Sequence, residues 1–120
     1  TLTGVMEKGD NTNYEFIVPE KLKQLYKSKD YGQYSSNDTL NVCFISTNDI
    51  TGGNSGSAVM NAEGELIGIA FDGNWEAMSG DNIFEKKMQR TINVDIRYVL
   101  FIIDKFAGAT NLIEELTLVK

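Results

Sequence analysis

Short apolar runs separated by turn-forming residues predict a group of strands in the middle of the chain. The segments 41–47 (NVCFIST), 58–60 (AVM), 66–71 (LIGIAF) and 91–94 (TINV) have this character. The two middle segments flank Glu63-Gly64, a dipeptide typical of a tight turn. These two segments are therefore predicted to pair as a β-hairpin.

Residues with helical character lie on both sides of the strands. Pro19 begins a run of helix-forming residues that predicts a short helix to about Ser28, and the polar segment 30–41 predicts a surface loop. Apolar residues recur at helical spacing over 96–106, after Asp95, which can cap a helix. This second helix is predicted to end at Gly108.

A last short helix is predicted to begin at Thr110 or Asn111 and to run through Leu116. The predicted fold is therefore a mainly β, antiparallel domain with a short N-terminal helix and one or two C-terminal helices. At 120 residues and with 42% hydrophobic residues, one domain spanning 1–120 is expected.

Charge and hydropathy exclude several classes of partner. The formal net charge of −6 argues against nucleic acid and against an anionic membrane surface. No stretch approaches the ~20 apolar residues of a membrane span. Because the chain starts at Thr1, without Met or a signal-peptide pattern, we expect it to be part of a longer polypeptide.

The single cysteine, Cys43, lies in an apolar run and cannot form an internal disulfide, so a small buried hydrophobic side chain is expected there. A metal site has little support, because the chain has no His, one Cys and no calcium-loop spacing of its acidic residues. No metal and no cofactor are predicted.

The segment 51–57 (TGGNSGS) has the composition of a nucleophile loop. A serine nucleophile needs an exposed hydroxyl on a tight turn and nearby backbone N–H groups that stabilise an oxyanion. Ser55 is the predicted nucleophile, and the N–H groups of Gly53 and Ser55 are the predicted oxyanion hole. On these residues alone, a structural turn with no catalytic role is the leading alternative, because Gly-Ser loops are common.

Three segments, 51–57 (TGGNSGS), 71–76 (FDGNWE) and 89–100 (QRTINVDIRYVL), resemble the bacterial dipeptidyl aminopeptidases of the dipeptidyl peptidase 7 and 11 type. Segments 5–8 and 18–22 resemble them too, so the likeness covers nearly the whole chain. It implies the C-terminal half of a trypsin/chymotrypsin-like double β-barrel in a periplasmic enzyme of Gram-negative bacteria. It also implies release of dipeptides from free peptide N-termini, without a cofactor.

The same resemblance implies two substrate-binding residues. Asp72 corresponds to a carboxylate that binds the substrate's α-ammonium group, although beside glycine it is also typical of a solvated turn. Gly73 stands where members specific for acidic residues carry an arginine, which implies a hydrophobic P1 preference. Asn54 replaces the aspartate that pairs with a freed N-terminus in zymogen-derived members, so activation by that pair is not expected.

The chain has no histidine, so the base of a Ser-His-Asp triad must come from outside it, and the isolated chain is expected to be inactive. A Ser-Lys dyad finds no lysine in a suitable motif, and Lys86-Lys87 is expected to be solvated. Phe71, Trp75 and Tyr98 are expected to be core residues rather than site residues.

The alternatives are a trypsin-like endopeptidase fragment and a non-catalytic peptide-binding domain. The expected partners are peptides with a free N-terminus and the missing N-terminal part of the same polypeptide. Because half of a barrel would expose strand edges and apolar surface, a homodimer, domain swapping or limited stability is also expected for the isolated chain.

Overall fold

The computed structural model of the chain describes residues 1–79 and 87–119, which belong to two units. One unit consists of residues 43–96, and the other combines residues 1–42 with the segment from Arg97 onward. The first contains the strands and the second contains most of the helices. The single domain over 1–120 stays a prediction.

In the described residues the strand unit contains one antiparallel sheet. Its strands are β1 (Cys43–Ser46), β2 (Ala58–Met60), β3 (Leu66–Gly73) and β4 (Thr91–Asp95). They lie in the order β1-β4-β3-β2, and each neighbouring pair is antiparallel. The four strands and the hairpin between β2 and β3 are thus confirmed, with ends that differ by one or two residues from the prediction.

Register places β4 at the centre, where Asn93 pairs with Phe44 of β1 on one side and with Ala70 of β3 on the other. The pairing then shifts, because Asp72 is opposite Ile92. Phe71 is therefore the extra residue of a β-bulge, a feature that bends a strand and redirects its side chains.

Among the described residues, the N-terminal part of the helical unit contains α1 (Leu2–Glu7), α2 (Glu20–Ser28) and two short 3₁₀-helices, Tyr14–Phe16 and Gly32–Tyr34. Its C-terminal part contains α3 (Ile96–Phe101, which follows β4 directly), a π-helix (Ile102–Phe106) and α4 (Thr110–Glu114). The predicted N-terminal helix is confirmed as α2, which Lys29 ends in the left-handed conformation with φ 53°. The predicted 96–106 helix is confirmed, but its second half is a π-helix.

Seven buried side chains make the core of this unit: Leu2, Val18, Leu22, Tyr31, Tyr34, Leu40 and Phe101. Tyr31 contacts Phe101 edge to face, with ring centroids 6.1 Å apart. The Tyr34 hydroxyl donates a 2.9 Å hydrogen bond to Asp104 Oδ2. Burial makes the largest contribution to raising the pKa of Tyr34, and the hydrogen bond to Asp104 raises this pKa further. Tyr34 therefore stays neutral at physiological pH.

Two predictions about the helices were incomplete. The sequence analysis did not predict α1, although Leu2, Val5 and Met6 have the i, i+3, i+4 spacing of one helix face. Thr110 is the first residue of α4 rather than its cap, a position that Ala109 occupies. The described helices include none long and apolar enough to cross a membrane.

Three predictions of burial were wrong. Cys43 is exposed on β1 rather than buried. Trp75 is 82% exposed and Phe71 is 41% exposed, so neither is a core residue within the strand unit. Tyr98, in contrast, is partly buried and stacks on Phe101 in the helical unit. Apolar character alone did not distinguish these positions.

A glycine on β3 is required by close packing within the sheet. A Cβ at Gly68 would lie 2.6 Å from Phe44 Cε1 and 2.7 Å from the Val94 carbonyl oxygen. The carbonyl belongs to the central strand and cannot move without breaking the pairing of β3 with β4. Gly68 is therefore a packing requirement, not a turn residue.

We expect Gly68→Ala to lower the free energy of unfolding by about 1–3 kcal/mol, because the new methyl group overpacks the sheet. Thermal unfolding of the full-length polypeptide would measure this. Gly52→Ala is the control, since Gly52 lies outside the helices and strands, its φ is not positive and a Cβ there meets nothing within 4 Å. Equal melting temperatures for the two variants would contradict the packing argument.

Candidate active site

The segment 51–57 forms two consecutive tight turns. The Asn54 N–H donates to the Thr51 carbonyl at 3.2 Å, and the Ser57 N–H donates to the Asn54 carbonyl at 3.0 Å. Gly53 and Gly56 hold the third position of the first and second turn, each with φ +93°. A type II turn requires a positive φ at that position, which explains why glycine occurs at both. The glycines of the motif therefore set the shape of the loop.

The second turn is held against the bulged part of β3. The Gly56 N–H donates to the Ala70 carbonyl at 2.8 Å, and the Ala70 N–H donates to the Ser57 carbonyl at 2.9 Å. Ser55 is exposed, and its Oγ donates a long 3.3 Å hydrogen bond to the carbonyl of Phe71, the bulge residue. The loop thus places the Ser55 hydroxyl at the surface, beside the β-bulge.

Two amides of the loop are available to a ligand. Within residues 1–79 and 87–119, the N–H groups of Gly53 and Ser55 donate to no protein acceptor. Both residues are exposed, and the amides of Asn54 and Gly56 between and beyond them are engaged in the turns. The alternation of engaged and available amides follows from the two turns. One of the two available amides belongs to Ser55, the residue that bears the hydroxyl, and exposed amides of this kind can bind an anion.

Asp72 and Gly73 follow the bulge directly. Asp72 is exposed, and its Oδ1 accepts a hydrogen bond from the Gly73 N–H at 2.8 Å. Because Ser55 contacts the carbonyl of Phe71, the residue just before Asp72, the structure brings these two predicted site residues to the same part of β3. The carboxylate keeps oxygen atoms open to solvent and to a cationic group.

Asn74 ties this segment to the residues just before β4, a role that the sequence analysis missed. Its N–H donates to the Arg90 carbonyl at 2.9 Å, and its Oδ1 accepts from the Arg90 N–H at 2.8 Å. Its Nδ2 donates to the Met88 carbonyl at 2.8 Å. The side chain of Asn74 thus satisfies main-chain groups that would otherwise lack strand partners. An Asn after Asp-Gly is the only sequence signal for it.

A buried polar network, also missed, connects β4 to the segment that precedes the loop. Asn93 is fully buried and donates from Nδ2 to Ser46 Oγ at 2.8 Å. Ser46 donates in turn to Asn48 Oδ1. Asn48 Nδ2 donates to Thr91 Oγ1 at 3.2 Å, and Thr91 Oγ1 donates to the Asn48 carbonyl at 2.8 Å. Polar residues at alternate positions of β4 are the signal that could have revealed it.

Other candidate groups lie outside this arrangement. Desolvation raises the pKa of the Cys43 thiol, so it is protonated and a poor nucleophile at neutral pH. Lys87 is exposed, and Lys86 lies outside the described residues. In the described part of the chain, His, Cys, Asp and Glu form no group of three that could hold a metal ion.

Comparison with known proteins identifies the family. The family model described as Peptidase S46 matches residues 1–118. This chain belongs to the peptidase S46 family. It is 63% identical to dipeptidyl-peptidase 7 of Phocaeicola vulgatus, over the whole chain and 17% of that protein. It is 56% identical to the Asp/Glu-specific dipeptidyl-peptidase of Porphyromonas endodontalis, over 97% of the chain and 16% of that protein.

Solved S46 structures have the same fold over this region. The crystal structure of Porphyromonas endodontalis DPP11 in complex with the dipeptide Arg-Glu superposes with a TM-score of 0.93 at 55% identity. The superposition covers 96% of this chain and 17% of that one. The chain thus spans about a sixth of the length of the S46 relatives it matches. The antiparallel sheet and the helices of this chain thus have counterparts in that DPP11 structure.

We expect Thr91→Val to lower the free energy of unfolding by about 1–2 kcal/mol, because it removes both hydrogen bonds of a fully buried hydroxyl without changing the side chain's size. Thermal unfolding of the full-length polypeptide would measure the loss. Thr39→Val is the matched control, since that hydroxyl is exposed and makes one 3.3 Å bond to a neighbouring carbonyl. A loss no larger than the control's would exclude a supporting role for the network.

Proposed function

We propose that this chain is the nucleophile-bearing C-terminal part of a serine exopeptidase that releases dipeptides from peptide N-termini. One observation carries the proposal: the exposed Ser55 hydroxyl lies in a loop whose Gly53 and Ser55 amides have no acceptor among the described residues. Membership of the S46 family and relatives named dipeptidyl-peptidase support it. The proposed reaction is acyl transfer through Ser55.

In this proposal Ser55 Oγ attacks the carbonyl carbon of the second residue of the peptide, and its proton passes to a base. The amides of Gly53 and Ser55 then donate to the oxyanion that forms, an interaction worth about 10²–10³ in rate per donor. The bond from Ser55 Oγ to the Phe71 carbonyl is long, at 3.3 Å, and is exchanged for one to the base. Since the chain contains no histidine, the base and its orienting carboxylate come from the remainder of the polypeptide.

Asp72 would bind the substrate's α-ammonium group and so limit cleavage to the second peptide bond. Asp72 is exposed and directly follows Phe71, whose carbonyl accepts the hydrogen bond from Ser55 Oγ. This position supports the role. A carboxylate placed there attracts the one cation that every free N-terminus carries. The distance from the nucleophile to this carboxylate would then define the length of the released product.

Gly73 would favour hydrophobic P1 side chains, because it offers no cation to an acidic one. A Cβ at Gly73 would meet two apolar atoms, Ala77 Cβ at 2.9 Å and Ile50 Cγ2 at 3.4 Å, and the Arg90 carbonyl oxygen at 3.8 Å, so no side-chain cation lies among the nearest atoms. In each of three organisms the identity is higher to dipeptidyl-peptidase 7 than to the Asp/Glu-specific relative, at 63% against 56%, 58% against 52% and 55% against 50%, which supports the same preference.

The wider setting follows from the family. We propose that the strand unit is the C-terminal half of a chymotrypsin-type double β-barrel and that the protein acts in the periplasm of a Gram-negative bacterium. Helix α3 begins directly after β4, and a helix at the C-terminal end is also what the resemblance to a chymotrypsin-type chain implies. A homodimer of the isolated chain, the inactivity of that chain and the absence of a cofactor stay predictions.

We expect Ser55→Ala in the full-length polypeptide to lower kcat for dipeptidyl fluorogenic substrates about 10⁴-fold or more, because the nucleophile is lost. Substrates with Leu, Phe or Asp at P1 would be compared, and the Leu and Phe substrates should be cleaved faster by the unmodified protein. Ser57→Ala is the matched control, since it keeps the main-chain bonds of the loop.

Activity retained by Ser55→Ala would show that another group is the nucleophile. Cleavage within blocked peptides would favour the endopeptidase alternative. Faster cleavage after Asp than after Leu would refute the P1 assignment. Binding of peptides without any turnover would favour the non-catalytic alternative.

We expect Asp72→Asn to lower kcat/KM about 10-fold or more for peptides with a free N-terminus, because the ion pair with the α-ammonium group is lost. The matched measurement uses the same peptides with an acetylated N-terminus. For those peptides the variant and the unmodified protein should be equally slow. An equal loss for both kinds of peptide would assign Asp72 a structural role.

A further inference from the structure

Position 73 requires glycine because a side chain there would have no room, and not because of its backbone conformation. Gly73 does not have a positive φ, so its backbone conformation does not require glycine. A Cβ at this position would lie 2.9 Å from Ala77 Cβ, closer than real Cβ atoms approach other groups, and 3.4 Å from Ile50 Cγ2. The methyl group of Ala77 therefore fills the place from which a side chain at residue 73 would start.

The Ala77 methyl group cannot easily withdraw, because the 3₁₀-helix that carries it, Trp75–Ser79, is fixed at its start. The Ala77 N–H donates to the Asn74 carbonyl at 2.9 Å. Asn74 is itself held to Met88 and Arg90, just before β4, by its main-chain N–H and by both polar atoms of its side chain. Movement of Ala77 away from Gly73 would strain or break several of these bonds.

We propose that Ala77 is a second specificity-determining residue, which holds position 73 to glycine and so keeps a cationic side chain out of the P1 site. The proposal rests on the proposed function, in which Gly73 borders that site. An arginine at position 73 alone has no room for its Cβ and displaces the helix before it can reach an acidic P1 group. The substitution Ala77→Gly removes the obstructing methyl group and gives that arginine the room it needs.

The contact itself is tested by thermal unfolding of the full-length polypeptide carrying Gly73→Ala, Ala77→Gly or both. We expect Gly73→Ala to lower the melting temperature by about 2 °C or more. The melting temperature of the double variant should be higher than the value obtained by adding the shifts of the two single variants, Ala77→Gly and Gly73→Ala. Gly52→Ala is the matched control, because its φ is not positive and its Cβ would meet nothing within 4 Å. Additive shifts would overturn the proposal.

The specificity is tested by Gly73→Arg with and without Ala77→Gly, using dipeptidyl substrates with Glu or Leu at P1. We expect the double variant to cleave the Glu substrate with a kcat/KM about tenfold or more above that of Gly73→Arg alone. Equal values for the two variants would overturn the role of Ala77 in specificity. The stability cycle uses alanine at position 73, so it gives an answer even if Gly73→Arg does not fold.

The two proposals fail in different ways. If the unmodified polypeptide cleaves no dipeptidyl substrate, the proposed function is wrong, and the melting temperatures still decide whether Ala77 excludes a side chain at position 73. If it cleaves such substrates but the temperature shifts are additive, the proposed function stands and the role of Ala77 is refuted.

Discussion

The pair of main-chain hydrogen bonds between the 51–57 loop and β3 is the constraint on which the candidate site depends. The bonds join Gly56 N to the Ala70 carbonyl and Ala70 N to the Ser57 carbonyl. They extend the β2-β3 hairpin into the loop, so the loop is a continuation of the sheet rather than a free segment. A hydroxyl on such a segment has a defined position relative to β3, which a nucleophile requires.

The β-bulge at Phe71 determines which residues of β3 lie near the Ser55 hydroxyl. Because one residue of β3 has no partner on β4, Asp72 pairs with Ile92 and the strand carries Asp72 and Gly73 past Ser55. Asn74 then holds the end of β3 to the residues just before β4, and the Asn93 network holds β4 to the segment that precedes the loop. The side chains of Thr91 and Asn93 thus hydrogen-bond to the segment before the loop, while the main chain of β4 pairs with β1 and β3. This division explains why buried positions of a central strand are polar here.

In the proposed function, the chain contains one half of a catalytic arrangement. It supplies a hydroxyl, two available amides and a carboxylate, all of which depend on local backbone geometry. It lacks the histidine that a serine nucleophile ordinarily uses. S46 relatives are about six times longer, which leaves ample chain for the missing groups. In this arrangement, the groups that bind the substrate and stabilise the oxyanion lie in a different part of the polypeptide from the group that transfers the proton. Turnover needs both.

The sequence by itself determined the strands, the hairpin, α2 and the loop with Ser55, because each depends on neighbouring residues: alternation, turn dipeptides and glycine at positive φ. The family resemblance, confirmed by S46 membership, supplied the roles of Asp72 and Gly73, which remain proposals. Only the tertiary structure decided that Cys43 and Trp75 are exposed, that Asn74 holds β4 and that Ala77 abuts Gly73. These depend on contacts between segments, and contacts across the sheet leave no local pattern from which they can be read.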